Sequence, residues 1–348
     1  MDPLLKYGSL AFLTYSKDTH SEPKLSKPAA PLQCTQSPPI EEQPLQVHNA
    51  SSWTYCGPLL TPSGAHLPPS FHTWASLTFS APSILLDRLL PLLAFLQDFL
   101  PRAGAHHYWL SIRATEPNHE FDTPRWHTDD DLFTQNAGIR DAGGQAPAQS
   151  QRWKLATTLL GPSTLFLADS AHGRRVQSEA KRSECEKRVD HRCTSVRCVG
   201  CSDAGRVVRQ RLMQALCNEQ VVSPARSEVA FFRIGDEDGV VHSEPRCNVD
   251  RIFVNVTPGT EADLRALMGR WQMGFPRAWC FGMPVGFVMS DEMGVAEGEE
   301  VKNVERGDSE GVGARGTKGR VREECEAWLD RKGLGFVKGI QWSAWSGS

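Results

Sequence analysis

Hydrophobic and polar positions divide the chain into a central stretch that reads as folded and two ends that do not. Phe71–Phe79 alternates with period two, as a half-buried strand does. Ser80 is placed to cap a helix over about 82–100. Leu85, Leu89, Leu92, Leu93, Leu96 and Leu100 form its apolar stripe, Pro91 offers a kink, and Pro101 with Gly104 ends it. Further strands are expected at His107–Arg113, around Arg125–Phe133, at Trp153–Leu160 and Ser163–Leu167 about a tight Gly161-Pro162 turn, at Glu228–Ile234 and at Arg251–Thr257. Helices are expected over about 206–218 and over Glu261–Trp271.

Outside and between these elements the pattern fails. Residues 17 to about 70 carry ten prolines, from Pro23 to Pro69, and repeated Pro removes ladder donors and fixes φ. Three regions follow: a disordered Pro/Ser-rich segment 1–70, a folded domain 71–275, and a poorly ordered Gly- and charge-rich tail 276–348. Polar insertions are expected at 134–151 and 170–205, the second basic and containing Cys185, Cys193, Cys198 and Cys201. The fold class expected is mainly β with flanking helices.

Composition narrows the partners. A net charge of −3 gives no electrostatic case for nucleic acid. The longest apolar candidate, Ile84–Leu100, is interrupted by Asp87, Arg88, Pro91 and Gln97, so no membrane span is expected. The first residues lack a signal-peptide pattern, which points to an intracellular location, cytoplasmic or nuclear, with reduced thiols. No nucleophile elbow, P-loop or dinucleotide fingerprint occurs.

The candidate chemistry lies in three distant side chains. His127 and Asp129 are two apart in an extended segment, so both leave on the same side while Thr128 and Asp130 point away. An imidazole and a carboxylate so placed can take adjacent vertices of a metal ion. A second imidazole completes a facial triad with open positions for small ligands. His242, after the apolar Val240-Val241 and at the opening of an expected hairpin, is the natural donor. Setting the two insertions aside leaves roughly 60 core residues between positions 127 and 242, enough for a few antiparallel strands of a jelly roll. Arg251 opens the next strand. A guanidinium in an apolar barrel needs an anion, and its planar fork suits a carboxylate.

His-x-Asp, a distant His and a basic residue about ten positions later resemble the Fe(II)/2-oxoglutarate-dependent oxygenases of the double-stranded β-helix superfamily. Arg125–Asp129, Leu159–Thr164 and the Val241–Pro245…Arg251 block are also similar to a family of uncharacterised bacterial and fungal proteins grouped with that fold. The resemblance covers about residues 75–270. It implies a double-stranded β-helix (jelly-roll) core, Fe(II) held by His127, Asp129 and His242, and 2-oxoglutarate chelating the metal with its far carboxylate on Arg251. The sequence departs from the pattern at Arg251-Ile252-Phe253, where some branches read Arg-x-Ser. It lacks the second downstream Arg of the nucleic-acid demethylase branch that Asn255-x-Thr257 otherwise suggests.

Plainer readings stand beside these. His127 can be a surface histidine in an acidic run, His242 a hydrogen-bonded turn residue, and Arg251 a structural partner of Asp250 or Glu244. Trp126 and Trp153 read as wall or core residues. The cysteine cluster, with His191, has one knuckle spacing, Cys198-x-x-Cys201, and reads as free thiols before zinc. The alternatives to a dioxygenase are a non-enzymatic jelly-roll module that binds a metal, a small anion or a protein, and a cupin-type metal enzyme without a keto acid.

Overall fold

The computed structural model describes residues 8–15, 45–130, 133, 153–188, 199–235 and 237–282. Its strands are β1 (Leu10–Thr14), β2 (Ser51–Pro58), β3 (His107–Thr115), β4 (Trp153–Leu160), β5 (Leu165–Leu167), β6 (Val221–Val222), β7 (Glu228–Arg233), β8 (His242–Ser243), β9 (Arg251–Gly259) and β10 (Arg277–Phe281). Its helices are α1 (Pro69–Thr78), α2 (Pro82–Arg102), α3 (Ser170–Glu186), α4 (Val199–Ala215) and α5 (Glu261–Gly269). Seven strands form one antiparallel sheet in the order β1-β7-β4-β9-β3-β2-β10. Three more form a small sheet, β6-β5-β8. The fold is mainly β. Among the described residues no helix is long and apolar enough to cross a membrane.

Period-two alternation sorts the strand residues into layers. Leu155 of β4, Val229 and Phe231 of β7, and Ile252, Val254 and Val256 of β9 join the leucines of α2 and Phe71, Trp74 and Ala75 of α1 in the largest apolar cluster. Their neighbours Ala156, Ala230, Phe232 and Phe253 turn to the other face and pack with Phe166 of β5 and Val222 of β6. The large sheet is therefore a middle layer, with α1 and α2 on one side and the small sheet on the other. A third cluster seats α3 and α4 on the small sheet through Ala180, Val208, Leu212, Trp126, Leu167 and Val241. Trp126 and Trp153 are core residues, 3% and 2% exposed.

Several expectations are corrected. Phe71–Phe79 is α1, not a strand: Phe71, Trp74, Ala75 and Thr78 are buried at helical spacing, and Pro69 starts the helix. The Pro-rich segment expected to be unstructured supplies β1 and β2, and β2 pairs with β3 from Ser51↔Ala114 to Pro58↔His107. Ser80 accepts from the Gln46 N–H rather than capping α2, whose cap position is Ala81. The basic stretch 170–205 holds α3 and the start of α4, with Asp169 capping α3 by accepting from the His172 N–H. The tail expected from 276 begins with an edge strand, β10, on β2. His242 does not open a hairpin: β8 pairs in the small sheet and β9 in the large one, so residues 244–250 cross between them. The insertion 134–151 and the tail beyond Gly282 lie outside the described residues.

Candidate metal centre

Beside β8 the chain from Pro124 to Asp130 meets the small sheet at one bridge, His127↔His242. The His127 N–H donates to the His242 carbonyl at 2.9 Å, and the His242 N–H to the His127 carbonyl at 2.8 Å. Two residues that exchange both bonds stand opposite each other with side chains on one face. Their ring centroids are 4.4 Å apart. Period two orients the rest: Trp126 turns into the α3–α4 cluster, Thr128 Oγ1 lies 3.5 Å from Gln177 Nε2, and His127 and Asp129 turn inward. The Asp129 carbonyl is held by the Gly235 N–H at 2.8 Å.

The structure brings His127, Asp129 and His242 together, all buried, with one ligand atom of each within 4.8 Å of the others. Nδ1 of His127 lies 2.7 Å from the Arg125 carbonyl, and Nδ1 of His242 lies 2.9 Å from the Val240 carbonyl. A carbonyl only accepts, so each Nδ1 is assigned the proton and each Nε2 offers a lone pair. Those Nε2 atoms stand 3.8 Å and 3.6 Å from the two Asp129 oxygens, beyond hydrogen-bond distance. Burial pushes the His242 imidazole down to about 4, leaving it neutral at pH 7.

Asp129 is split between two tasks. Its Oδ2 accepts from Lys154 Nζ at 2.7 Å, and both side chains are 3% exposed. Its Oδ1 is buried with no hydrogen-bond partner. Burial alone would raise this carboxyl, but Lys154 and the two imidazoles outweigh it and hold the pKa below the ordinary carboxylate value. A buried carboxylate with one bare oxygen, beside two imidazole lone pairs, is an electron-pair donor set that fits a divalent transition metal.

Arg251 is 2% exposed, on the face of β9 that looks toward the small sheet. Its Nε donates to the Pro162 carbonyl at 2.9 Å and its Nη2 to Thr164 Oγ1 at 3.4 Å, while its Cζ lies 4.6 Å from the Phe253 ring centroid. Gly161 makes this seat: its φ is +79°, and a Cβ there would collide with the Asp250 carbonyl and lie 3.2 Å from Arg251 Cα. Neither Asp250 nor Glu244 is within 4.0 Å of the guanidinium. The Asp250 Oδ2 instead accepts from the Val47 N–H, and Glu244 faces Arg113. Burial and the like charge of Arg113 bring Arg251 down to about 9, still charged at neutral pH.

A narrow pocket, with free room at its centre for about one water molecule, runs between the donor set and Thr164 and Phe253, the residues Arg251 rests on. Asp129 and His242 line it together with Lys154, Thr164, Glu244 and Phe253. The sequence reading missed Lys154 and Arg113, and gave Glu244 only as an ion-pair partner of Arg251. Lys154 was signalled by a lone charge in the apolar run of β4, and Glu244 by its two-residue spacing from His242. Of the cysteine cluster, Cys185 and Cys201 are buried in α3 and α4, while Cys193, Cys198 and His191 lie outside the described residues. Comparison of the chain with protein-family models, curated proteins and solved structures gives no match.

Proposed function

We propose that this chain is an Fe(II)- and 2-oxoglutarate-dependent oxygenase on a double-stranded β-helix core, acting on an organic substrate. One observation carries the reading: a buried His–Asp–His donor set faces the side of the large sheet that bears Arg251, a buried cation with no carboxylate of the described residues within ion-pair distance. A buried guanidinium without a counter-charge is costly, and a ligand carboxylate would relieve that cost.

The order in which the chain visits the two sheets supports the β-helix reading. From β3 in the large sheet it passes to His127 beside the small sheet, back to β4, and then to β5 and β6. It returns to the large sheet at β7, crosses to β8 and returns at β9. Successive strands wound alternately into two facing sheets make a jelly roll.

In this reading His127 Nε2, His242 Nε2 and Asp129 Oδ1 would hold the ion. Iron with a 2-oxo acid and dioxygen supplies a two-electron oxidation of substrate coupled to oxidative decarboxylation of the oxo acid. The protein's own share is positional. The Arg125 and Val240 carbonyls fix the imidazole tautomers, Lys154 occupies the second carboxylate oxygen, Arg251 anchors the far carboxylate, and Phe166, Phe232 and Phe253 keep water from the site.

The experiment compares Asp129→Ala with Asp130→Ala. The first is expected to abolish Fe(II) binding and Fe(II)-dependent succinate release, and the second to retain both; equal losses would refute the assignment. A second reading, a non-enzymatic metal- or anion-binding module, is favoured by the Lys154–Asp129 ion pair, which neutralises the carboxylate without any metal. Tight metal binding with no 2-oxoglutarate consumed would support it.

A further inference from the structure

Around Phe253 the face of the large sheet contains more charge than an anchoring arginine requires. Arg113 of β3 stands opposite Phe253 of β9 in the ladder, so their side chains share a face, and Arg251 lies two residues along the same strand. Both guanidiniums approach one ring: Arg113 Cζ is 5.4 Å and Arg251 Cζ 4.6 Å from the Phe253 centroid. Two like charges over one ring repel each other, and the sheet holds them there.

Glu244 answers this pair from the opposite sheet. It follows His242 by two residues, so its side chain turns inward as His242 does, and it lines the pocket. Its Oε1 is 4.0 Å from Arg113 Nη2, with the two side chains 13% and 17% exposed. That separation is the outer limit of an ion pair and too long for a hydrogen bond. Arg113 Nε is buried and has no hydrogen-bond partner. The carboxylate is thus at the ion-pair limit of Arg113 and hydrogen-bonded to neither guanidinium, in a pocket that otherwise has room for about one water.

We infer that Glu244 is the resident occupant of an anion site formed by Arg113 and Arg251, and that a ligand carboxylate binds by displacing it. The site is then a two-arginine cleft selective for the far carboxylate of a dicarboxylate. Its affinity is set by exchanging one carboxylate for another, not by filling an empty seat. The inference rests on the proposed role of Arg251 and adds to it Arg113 as a second anchor and Glu244 as a competitor.

Calorimetric titration of the full chain, loaded with Mn(II), tests it with two probes. One is 2-oxoglutarate, and the other is pyruvate, which has the keto-acid end and no far carboxylate. Glu244→Gln keeps the shape and removes the charge; it is expected to bind 2-oxoglutarate roughly tenfold more tightly than wild type. Arg113→Gln is expected to bind it roughly tenfold more weakly, and Arg113→Lys to lie between that variant and wild type. Pyruvate affinity is expected to be the same in all of them. Binding by Glu244→Gln where wild type shows none would support the displacement most directly. If Arg251→Gln loses 2-oxoglutarate while Glu244→Gln and Arg113→Gln match wild type, the inference is overturned and the anchor survives. Equal shifts for pyruvate would also overturn it, because the effect would not lie at the far carboxylate. No 2-oxoglutarate binding by wild type or any variant would overturn both the inference and the functional reading.

Discussion

Asp129 binds in two directions, and its two oxygens are not equivalent. Lys154 takes Oδ2, and Oδ1 is left for an ion. Lys154→Met removes the one counter-charge among the described residues within hydrogen-bond distance of a buried carboxylate and is expected to destabilise the metal-free protein by about 3–5 kcal/mol. A divalent ion replaces the missing cation, so the rise in Tm on adding Mn(II) should be larger in the variant than in wild type. An equal rise would mean that Lys154 and the ion do not share the carboxylate. Gly161→Ala is a second test at this scale. A Cβ at φ +79° against the Asp250 carbonyl is expected to cost roughly 1–3 kcal/mol and to weaken anion binding at Arg251; denaturant titration and calorimetry read the two effects. The His127/Asp129 alternation and the burial of Arg251 were legible because strand geometry fixes sidedness. Lys154 was not, because a single basic residue at the end of a strand usually reaches solvent.

At the scale of elements, the ligand segment 124–130, which makes one bridge and no strand, is held from behind. Trp126 joins α3 and α4 to the small sheet one residue before His127. Trp126→Ala is expected to cost about 3–5 kcal/mol and to lower metal affinity through a loosened segment, measured by chemical unfolding and metal titration. The two helices are themselves tied by Glu184, whose 2%-exposed side chain meets Lys187 at 2.7 Å and Arg188 at 2.5 Å on its own turn and Arg211 of α4 at 3.1 Å. Glu184→Ala should cost roughly 1–3 kcal/mol in the same unfolding measurement. These elements explain the least legible part of the sequence. Ser170–Glu186 is nearly all polar, so its apolar side is narrow, and small buried positions such as Gly173 and Ala180 give little hydrophobic signal. Gly173 is close enough to the sheet that a Cβ there would lie 2.7 Å from a Leu167 methyl. The α1 reading failed for the opposite reason: Phe71–Phe79 satisfies both periods, and only burial of Phe71, Trp74, Ala75 and Thr78 decides for the helix.

For the molecule as a whole, four layers determine where chemistry can occur. α1 and α2 cover the outer face of the large sheet and α3 and α4 that of the small one, so the polar groups around the donor set point into the seam between the sheets. His127, Asp129 and His242 enter that seam from the small-sheet side, and Lys154, Arg251 and Arg113 enter it from the large sheet. The strands of the central core were readable from alternation. The edge strands β1 and β10, and β2 next to β10, were not, since they lie in Pro-rich or weakly periodic sequence and owe their structure to partners far along the chain. The central claim is that the donor set and the guanidinium serve one ligand. The most direct measurement is an anaerobic titration of the wild-type chain and Arg251→Gln with Fe(II) and then 2-oxoglutarate, followed in the visible spectrum. A weak charge-transfer band of the chelate that saturates in wild type and requires far more 2-oxoglutarate in the variant is the predicted result. Bound Fe(II) with no such band in wild type at any 2-oxoglutarate concentration would contradict it.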